Sequence, residues 1–123
     1  MFRYGKRQSY TVKDKSFAIR IIKLYKYLTE TQNEHVMSKQ MLRAGTSIGA
    51  NTRESINAQS KLDFINKLNI ALKETDETQY WLELLYETNF LNEKQFQSIY
   101  DDSKEIAALL VTIIKTTKKN LEK

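Results

Sequence analysis

The chain has 123 residues, of which 41% are hydrophobic and 28% are charged, and its formal net charge is +5. That length suits one globular domain with its own hydrophobic core, and the composition argues against wholesale disorder. The absence of cysteine excludes disulfides, thiolate catalysis and zinc–thiolate sites, and the absence of proline favours long helices. No apolar run approaches the roughly 20 residues that span a bilayer, and no signal-peptide pattern opens the chain, so we expect a cytoplasmic protein that does not enter a membrane.

The first predicted helix runs from about residue 16 to residue 31, with Asp14 or Ser16 as its N-cap. Its apolar side chains recur at helical spacing, at Phe17, Ile21, Leu24 and Leu28. The polar stretch from Glu30 to Val36 is typical of a loop.

The second predicted helix runs from Ser38, its predicted N-cap, to about residue 58, and small residues crowd its middle. Glycine in a helix interior costs up to ~1 kcal/mol relative to alanine, so something must offset that penalty. Gly45 and Gly49 are four residues apart and share one face, on either side of Ile48. We therefore expect the backbone of another helix to approach closely at Gly45, Ile48 and Gly49, in a seam without water.

Two sequences that resemble capping boxes mark the starts of the remaining two helices. Ser60 and Asp63 predict the start of a third helix that ends near residue 88, where Asn89 suits a left-handed stop. Asn92 and Gln95 predict the start of a fourth helix, which continues towards the C-terminus. Short connections between long helices predict an all-α, antiparallel up-down-up-down four-helix bundle. We expect one domain over residues 1–123, with residues 1–12 as a candidate flexible basic arm.

The segment from Ile106 to Ile114 is apolar at eight of its nine positions. A helix that is apolar on all sides must be covered on all sides, and nine residues are too few for a membrane span. We expect another subunit to cover it, and hence a homo-oligomer. The alternative is that neighbouring helices of the same chain cover this segment alone.

Two strings, residues 40–55 (QMLRAGTSIGANTRES) and 57–88 (NAQSKLDFINKLNIALKETDETQYWLELLYET), resemble the small bacterial four helix bundle protein family. That family is also called the 23S rRNA intervening-sequence protein family, and the resemblance covers about residues 12–120. It implies an antiparallel four-helix bundle that assembles into a ring, commonly a pentamer. The chain is also similar to the accessory variability protein of diversity-generating retroelements, a basic pentamer that binds nucleic acid and a reverse transcriptase. No catalytic residue is established for the family, so the resemblance supplies none.

Enzyme chemistry has little support in the sequence. His35 is the only histidine and lies in a predicted loop, so the chain cannot supply the two Glu-x-x-His pairs of a di-iron bundle. Glu74 and Glu77 share one helix face, and a cation site or an acid–base pair of a hydrolase is the alternative to ordinary ion pairing. We expect no enzyme activity, no cofactor and no metal. Charged and amide side chains on the second and third helices form a candidate structural polar network between helices or subunits: Arg43, Asn51, Arg53, Glu54, Glu74 and Glu77.

The charge distribution gives the main functional hint. Residues 1–26 carry a net +7 and residues 115–123 a net +3, whereas the remaining middle carries −5. An up-down-up-down bundle brings both ends of the chain to one pole, where their cations would attract phosphate groups. The candidate nucleic-acid-binding residues are Arg3, Lys6, Arg7, Lys13, Lys15, Arg20, Lys23, Lys26, Lys118 and Lys119.

The sequence thus favours a non-enzymatic, oligomeric interaction or scaffold protein, with nucleic acid as the first candidate partner. A purely protein-binding module without nucleic-acid contact is the competing hypothesis, and a basic end that only aids solubility is the simplest one. No recognised nucleic-acid-binding motif decides between them.

Overall fold

Four α-helices make up the computed structural model, which describes residues 7–121, with side chains from Tyr10 onwards. They are α1 (Arg7–Glu30), α2 (Met37–Ile56), α3 (Lys61–Glu87) and α4 (Glu93–Leu121), and no strand occurs within that range. Each helix packs on the next in chain order, and α4 packs back on α1, whereas the backbones of the diagonal pairs α1–α3 and α2–α4 stay apart across the core. This arrangement confirms the predicted all-α four-helix bundle.

The core lies along the axis of the bundle and receives apolar side chains from every helix. Because each helix presents one apolar stripe, four stripes facing inward exclude water from the centre. The largest side chains that are almost completely buried are Tyr10, Phe17, Ile21, Leu28, Met41, Ile48, Phe64, Leu68, Leu82, Leu85, Ile106 and Leu110.

Helix α1 begins nine residues before its predicted start. Asp14 and Ser16 lie inside the helix, so neither is its N-cap, and both N-cap predictions were wrong. The apolar pattern extends back to Tyr10, seven residues before Phe17, and Tyr10 is fully buried. Residues 7–12 of the candidate flexible arm are therefore helical, and residues 1–6 lie outside the described range.

A carboxylate, rather than the predicted Ser38 hydroxyl, caps the start of α2. Glu34 Oε2 accepts hydrogen bonds from the N–H groups of Val36 (3.1 Å) and Met37 (2.9 Å), and Glu34 Oε1 accepts one from the N–H of Ser38 (2.7 Å). The Ser38 hydroxyl instead donates to the carbonyl of Glu34 (2.8 Å). Burial by itself raises the pKa of the Glu34 carboxyl, but the three N–H groups outweigh burial and hold that pKa below its usual range.

The predicted starts of α3 and α4 are confirmed by reciprocal capping bonds. Ser60 Oγ accepts from the N–H of Asp63 (3.0 Å), whose own carboxylate accepts from the N–H of Gln59 (3.2 Å). Asn92 and Gln95 exchange two bonds, at 2.8 and 2.9 Å. Asn89, with a φ of 69°, adopts the predicted left-handed conformation after α3.

Helices of the same chain cover much of the apolar segment from Ile106 to Ile114. Ile106, Leu110, Ile113 and Ile114 are buried within the bundle, Ala107, Leu109 and Val111 are half-buried, and Ala108 is exposed. Neighbouring helices therefore bury half of the eight apolar side chains, and cover by another subunit stays a prediction for the others.

Candidate nucleic-acid interface and polar clusters

Close packing of α1 on α2 occurs at the small residues of α2. Gly45 is buried, and a Cβ added there would lie 2.8 Å from Cγ1 of Ile21, so the α1 side chain occupies the space that alanine would need. Gly49 is half-buried and lies against the main chain of Asp14, whose carbonyl oxygen would be 3.6 Å from an added Cβ. Ile48 is fully buried between them. The neighbour at Gly45 is thus a side chain, and only at Gly49 is it a backbone.

A buried polar layer lies in the same seam. The hydroxyls of Tyr10 and Ser55 are 2.8 Å apart, and Ser55 Oγ donates to the carbonyl of Thr52 (2.6 Å). Thr52 Oγ1 donates to the carbonyl of Gly49 (3.1 Å). The carboxylate of Asp14 is also buried in this layer, and neither of its oxygens has a hydrogen-bond partner.

The Asp14 carboxyl is therefore poorly suited to carry a charge. Burial raises its pKa to about 6; the nearby Thr52 hydroxyl and the Lys13 ammonium offset only part of that rise. Since the Thr52 hydroxyl already donates to a main-chain carbonyl, it does not satisfy the carboxylate. The seam between α1 and α2 thus contains one acidic group that destabilises the fold when it is ionised.

Arg43 joins α2 to α3 through the two carboxylates that were also candidates for acid–base chemistry. Its guanidinium donates to Glu74 Oε2 (3.3 Å) and to Glu77 Oε2. The indole N–H of Trp81 also donates to Glu77 Oε2 (3.2 Å). Both glutamates are therefore engaged in a half-exposed ion-pair cluster, which is the ordinary alternative to a hydrolase site.

The other members of the predicted polar network do not join this cluster. Glu54 pairs with Lys67 (3.0 Å), and Asn51 donates to the carbonyl of Ser47 within α2 (2.8 Å). Arg53 is exposed and forms no ion pair with any described residue. The network thus divides into two separate ion-pair clusters, with Asn51 and Arg53 in neither.

Two of the candidate nucleic-acid-binding cations hold α1 to α4 instead. Lys13 Nζ lies 2.6 Å from a carboxylate oxygen of Glu105. Arg20 pairs with Asp102 and also donates to Ser98 Oγ (2.8 Å). These ion pairs stabilise the seam between the first and last helices and reduce the charge available for a phosphate.

The structure separates Lys23 and Lys26 from the pole where the two chain ends meet. Both are exposed, but they lie in the second half of α1, and Lys23 lines a groove with Asn92 and Gln95 at the start of α4. That groove is at the opposite end of the bundle. Arg3 and Lys6 lie outside the described residues, as does the side chain of Arg7.

Unpaired cations collect at the pole where α1 and α3 begin and α2 and α4 end, here called the basic pole. Three of them were predicted, namely Lys15, Lys118 and Lys119, and three were not, namely Arg53, Lys61 and Lys115. All six are exposed or half-exposed, and none pairs with a described carboxylate. Arg53 and Lys61 were missed because they lie in the acidic middle of the sequence and reach this pole only through the fold.

A groove of about 390 Å³ separates α1 from α2 beside this pole. Lys15 lines it on the α1 side and Arg53 on the α2 side, while Gly49 and Ala50 contribute almost no side-chain volume. Two cations without an ion pair to any described residue therefore border this groove. Within residues 7–121, no cluster of three or more histidine, cysteine or acidic side chains could hold a metal.

These features define a small antiparallel helical bundle with a cluster of unpaired cations at one pole. The chain belongs to the 23S rRNA-intervening sequence protein family, whose model matches residues 8–112. It is similar to a crystal structure from Bacteroides thetaiotaomicron VPI-5482, described as a protein with unknown function from the S23 ribosomal protein family, with 58% identity and a TM-score of 0.88. The match covers 90% of this chain and 99% of that one. No curated protein gives a significant match.

In the part of the chain that the structure describes, no helix is both long enough and apolar enough to cross a bilayer.

Proposed function

We propose that this protein is a non-enzymatic, oligomeric bundle of the cytoplasm that binds nucleic acid through its basic pole. The observation that carries the proposal is that six unpaired cations lie at or beside one end of the bundle. Lys13, Arg20, Arg43 and Lys67 on the sides of the bundle each lie against a carboxylate. Exposed cations without an ion pair also occur elsewhere, at Lys23, Lys39 and Lys94 for example, but the last two turns of α4 contribute three to this pole. Unpaired cations keep their full charge for a phosphate backbone, and binding releases the counterions of that backbone.

The local structure supports the same conclusion. Lys118 and Lys119 occupy the last turn of α4, where the helix dipole stabilises a positive charge. This end of the helix is therefore positively charged whether or not a partner binds. The groove bordered by Lys15 and Arg53 adds a second row of positive charge on the α1–α2 side. The family's association with insertions in 23S rRNA is consistent with a nucleic-acid setting.

Neutralising the end of α4 tests the proposal. We expect the triple variant Lys115→Gln, Lys118→Gln, Lys119→Gln to bind random RNA and duplex DNA more weakly than the wild-type protein. Each phosphate contact contributes about 0.7–0.9 to the magnitude of the slope of log K against log salt. The loss of three contacts should therefore make this slope shallower by about 2–3. Fluorescence anisotropy over a salt series measures that slope.

The matched control neutralises three exposed lysines elsewhere, in the variant Lys39→Gln, Lys94→Gln, Lys104→Gln. Both variants lose the same net charge, so a purely nonspecific effect of charge would affect them equally. Equal slopes for the two variants would contradict binding at the basic pole. If the wild-type protein binds neither RNA nor DNA at low salt, the nucleic-acid proposal fails and a purely protein-binding module takes its place.

A further inference from the structure

A second groove, of about 640 Å³, lies between α1 and α4 in the half of the bundle away from the basic pole. Three of the side chains that line it are cations, Arg20, Lys23 and Lys94, and none is acidic. The apolar side chains of Leu24 and Ile99, which also pack into the core, line it as well. Small-molecule sites in proteins have volumes of roughly 300–1,000 Å³ and combine apolar side chains with a few polar groups. This groove therefore has the size and the lining of a small-molecule site.

The cations of the groove keep positive charge available for an anion. Lys23 and Lys94 are exposed and form no ion pair with any described residue. Arg20 pairs with Asp102, and its guanidinium donates to the hydroxyl (2.8 Å) and the carbonyl (3.3 Å) of Ser98. These contacts use at most three of the five N–H groups of Arg20, so the others can still donate to a ligand. The groove thus combines one cation of fixed orientation with two unpaired ones.

The start of α4 adds to this positive field. The N-terminus of a helix carries a partial positive charge, so a cation in the first turn is disfavoured and an anion is favoured. Lys94 occupies that turn and lines the groove, whereas the neighbouring Glu93 does not line it. A phosphate monoester carries about −1.5 to −2 charges near pH ~7, whereas a carboxylate carries one. Three cations at a helix start therefore suit a phosphate better than a carboxylate.

Tyr27 supplies an aromatic ring and a hydroxyl group to the same groove. Its oxygen accepts a hydrogen bond from Gln32 Nε2 (2.7 Å). Gln95 Oε1 accepts from the N–H of Asn92 (2.9 Å), which leaves Gln95 Nε2 to donate. The amide groups of Gln32 and Gln95 hold the pKa of Tyr27 below its usual value, because hydrogen bonds donated to the oxygen favour the phenolate. Within residues 7–121 no group accepts the hydroxyl hydrogen of Tyr27, so this group can donate to a ligand.

The spacing along α1 places charge and ring within reach of one small molecule. Arg20, Lys23 and Tyr27 are three and four residues apart, so they share one face of the helix. Arg20 and Tyr27 are separated by seven residues, or about 10 Å along the helix axis. A ligand with a phosphate at one end and an aromatic ring at the other can therefore contact both.

We propose that this groove binds a small phosphorylated aromatic molecule of the nucleoside monophosphate class. Its phosphate lies among the three cations, and its base packs on the apolar side chains beside Tyr27, whose hydroxyl donates to it. The site is separate from the basic pole and does not depend on nucleic-acid binding there. The chain thus has one site for a nucleic-acid polymer and another for a nucleotide monomer.

Calorimetric titration with the 5′-monophosphates of adenosine, guanosine, cytidine and uridine tests the site. The wild-type protein should bind at least one of them more tightly than the matching nucleoside or inorganic phosphate, since each of these lacks part of the contacts. The variant Lys23→Gln, Lys94→Gln should weaken that binding about tenfold or more, because it removes charge-assisted hydrogen bonds to the phosphate. Tyr27→Phe should weaken nucleotide binding by a smaller factor and leave the binding of inorganic phosphate unchanged.

Two controls separate a site in this groove from a general attraction of anions. The variant Lys39→Gln, Lys104→Gln loses the same charge at exposed positions that do not line the groove, and it should bind the nucleotide as the wild-type protein does. The variant Lys115→Gln, Lys118→Gln, Lys119→Gln of the basic pole should also bind the nucleotide normally.

Three results would contradict this inference. The first is that none of the four nucleotides binds at millimolar concentration. The second is that the double variant of the groove and its double-lysine control change nucleotide affinity equally. The third is that single-stranded RNA displaces the bound nucleotide, which would make the groove part of the nucleic-acid interface. The first two results would leave nucleic-acid binding by the basic pole intact, because RNA titration of the α4 variant tests that proposal separately.

Discussion

Asp14→Asn is expected to stabilise the protein by about 3 kcal/mol more at a pH of about 8 than at a pH of about 4. The carboxyl of Asp14 is buried without a hydrogen-bond partner, and its pKa rises to about 6. In the unfolded chain the same group titrates near ~3.9. Between these values the folded state holds a proton that the unfolded state has released, so stability falls as pH rises through this window. Above the folded pKa the loss is complete, and asparagine avoids it.

Urea unfolding at several pH values measures this effect as the difference in the free energy of unfolding between the variant and the wild-type protein. Taking the difference removes the contribution of the other titrating groups. That difference should grow between pH values of about 4 and 7 and then stay constant. Asp101→Asn, at an exposed position, is the control and should show little change with pH. A difference between Asp14→Asn and wild type that is the same at every pH would show that the pKa of the Asp14 carboxyl is the same in the folded and the unfolded chain, as for a solvated group.

The same substitution at the two helical glycines of α2 should have opposite effects. Gly45→Ala is expected to destabilise the protein by up to about 2 kcal/mol, because overpacking costs about 1–3 kcal/mol and offsets the helix-propensity gain of about 1 kcal/mol. The new Cβ would lie 2.8 Å from Cγ1 of Ile21, a fully buried β-branched side chain with little freedom to move. Gly49→Ala meets only ordinary contacts, 3.6 Å and beyond, and should stabilise by up to ~1 kcal/mol.

Chemical unfolding of both variants measures the change in the free energy of unfolding at each glycine. The variant Ile21→Ala tests whether contact with the Ile21 side chain causes the difference between them. In the Ile21→Ala background the obstacle is absent, so Gly45→Ala should no longer be destabilising, and the double-mutant cycle should give a coupling of about 1 kcal/mol or more. Equal effects of alanine at positions 45 and 49 would mean that the approach of α1 does not require glycine at position 45.

Much of the fold could be predicted because its signals are local. Ser60 with Asp63, and Asn92 with Gln95, mark helix starts with capping side chains three residues apart, and Asn89 marks a helix end by its own conformation. The predicted N-cap of α2, Ser38, was wrong because the cap of this helix is a carboxylate four residues earlier. The Glu34 carboxylate accepts the first N–H groups of the helix, an arrangement that the three-residue capping pattern does not describe.

The start of α1 was missed for a different reason. The apolar pattern predicts a start near residue 16, and Asp14 is a residue type that commonly caps helices. Its burial depends on contact with α2, through the close approach at Gly49, and such contacts are not visible within the α1 sequence.

The candidate nucleic-acid interface depends on tertiary structure even more than the helix starts do. Sequence position identified Lys15, Lys118 and Lys119, but it also included Lys13 and Arg20, which the fold engages in ion pairs with α4. Their partners lie more than 80 residues away along the chain, so local charge counts cannot find them.

A lysine-acetylation footprint with and without bound RNA tests the central claim most directly, because mass spectrometry reports each lysine of the protein separately. We predict that RNA reduces the reactivity of Lys15, Lys61, Lys115, Lys118 and Lys119 at the basic pole. The reactivity of Lys39, Lys94 and Lys104, which are exposed elsewhere on the bundle, should stay unchanged. Protection spread evenly over both sets, or confined to the second, would contradict an interface at this pole.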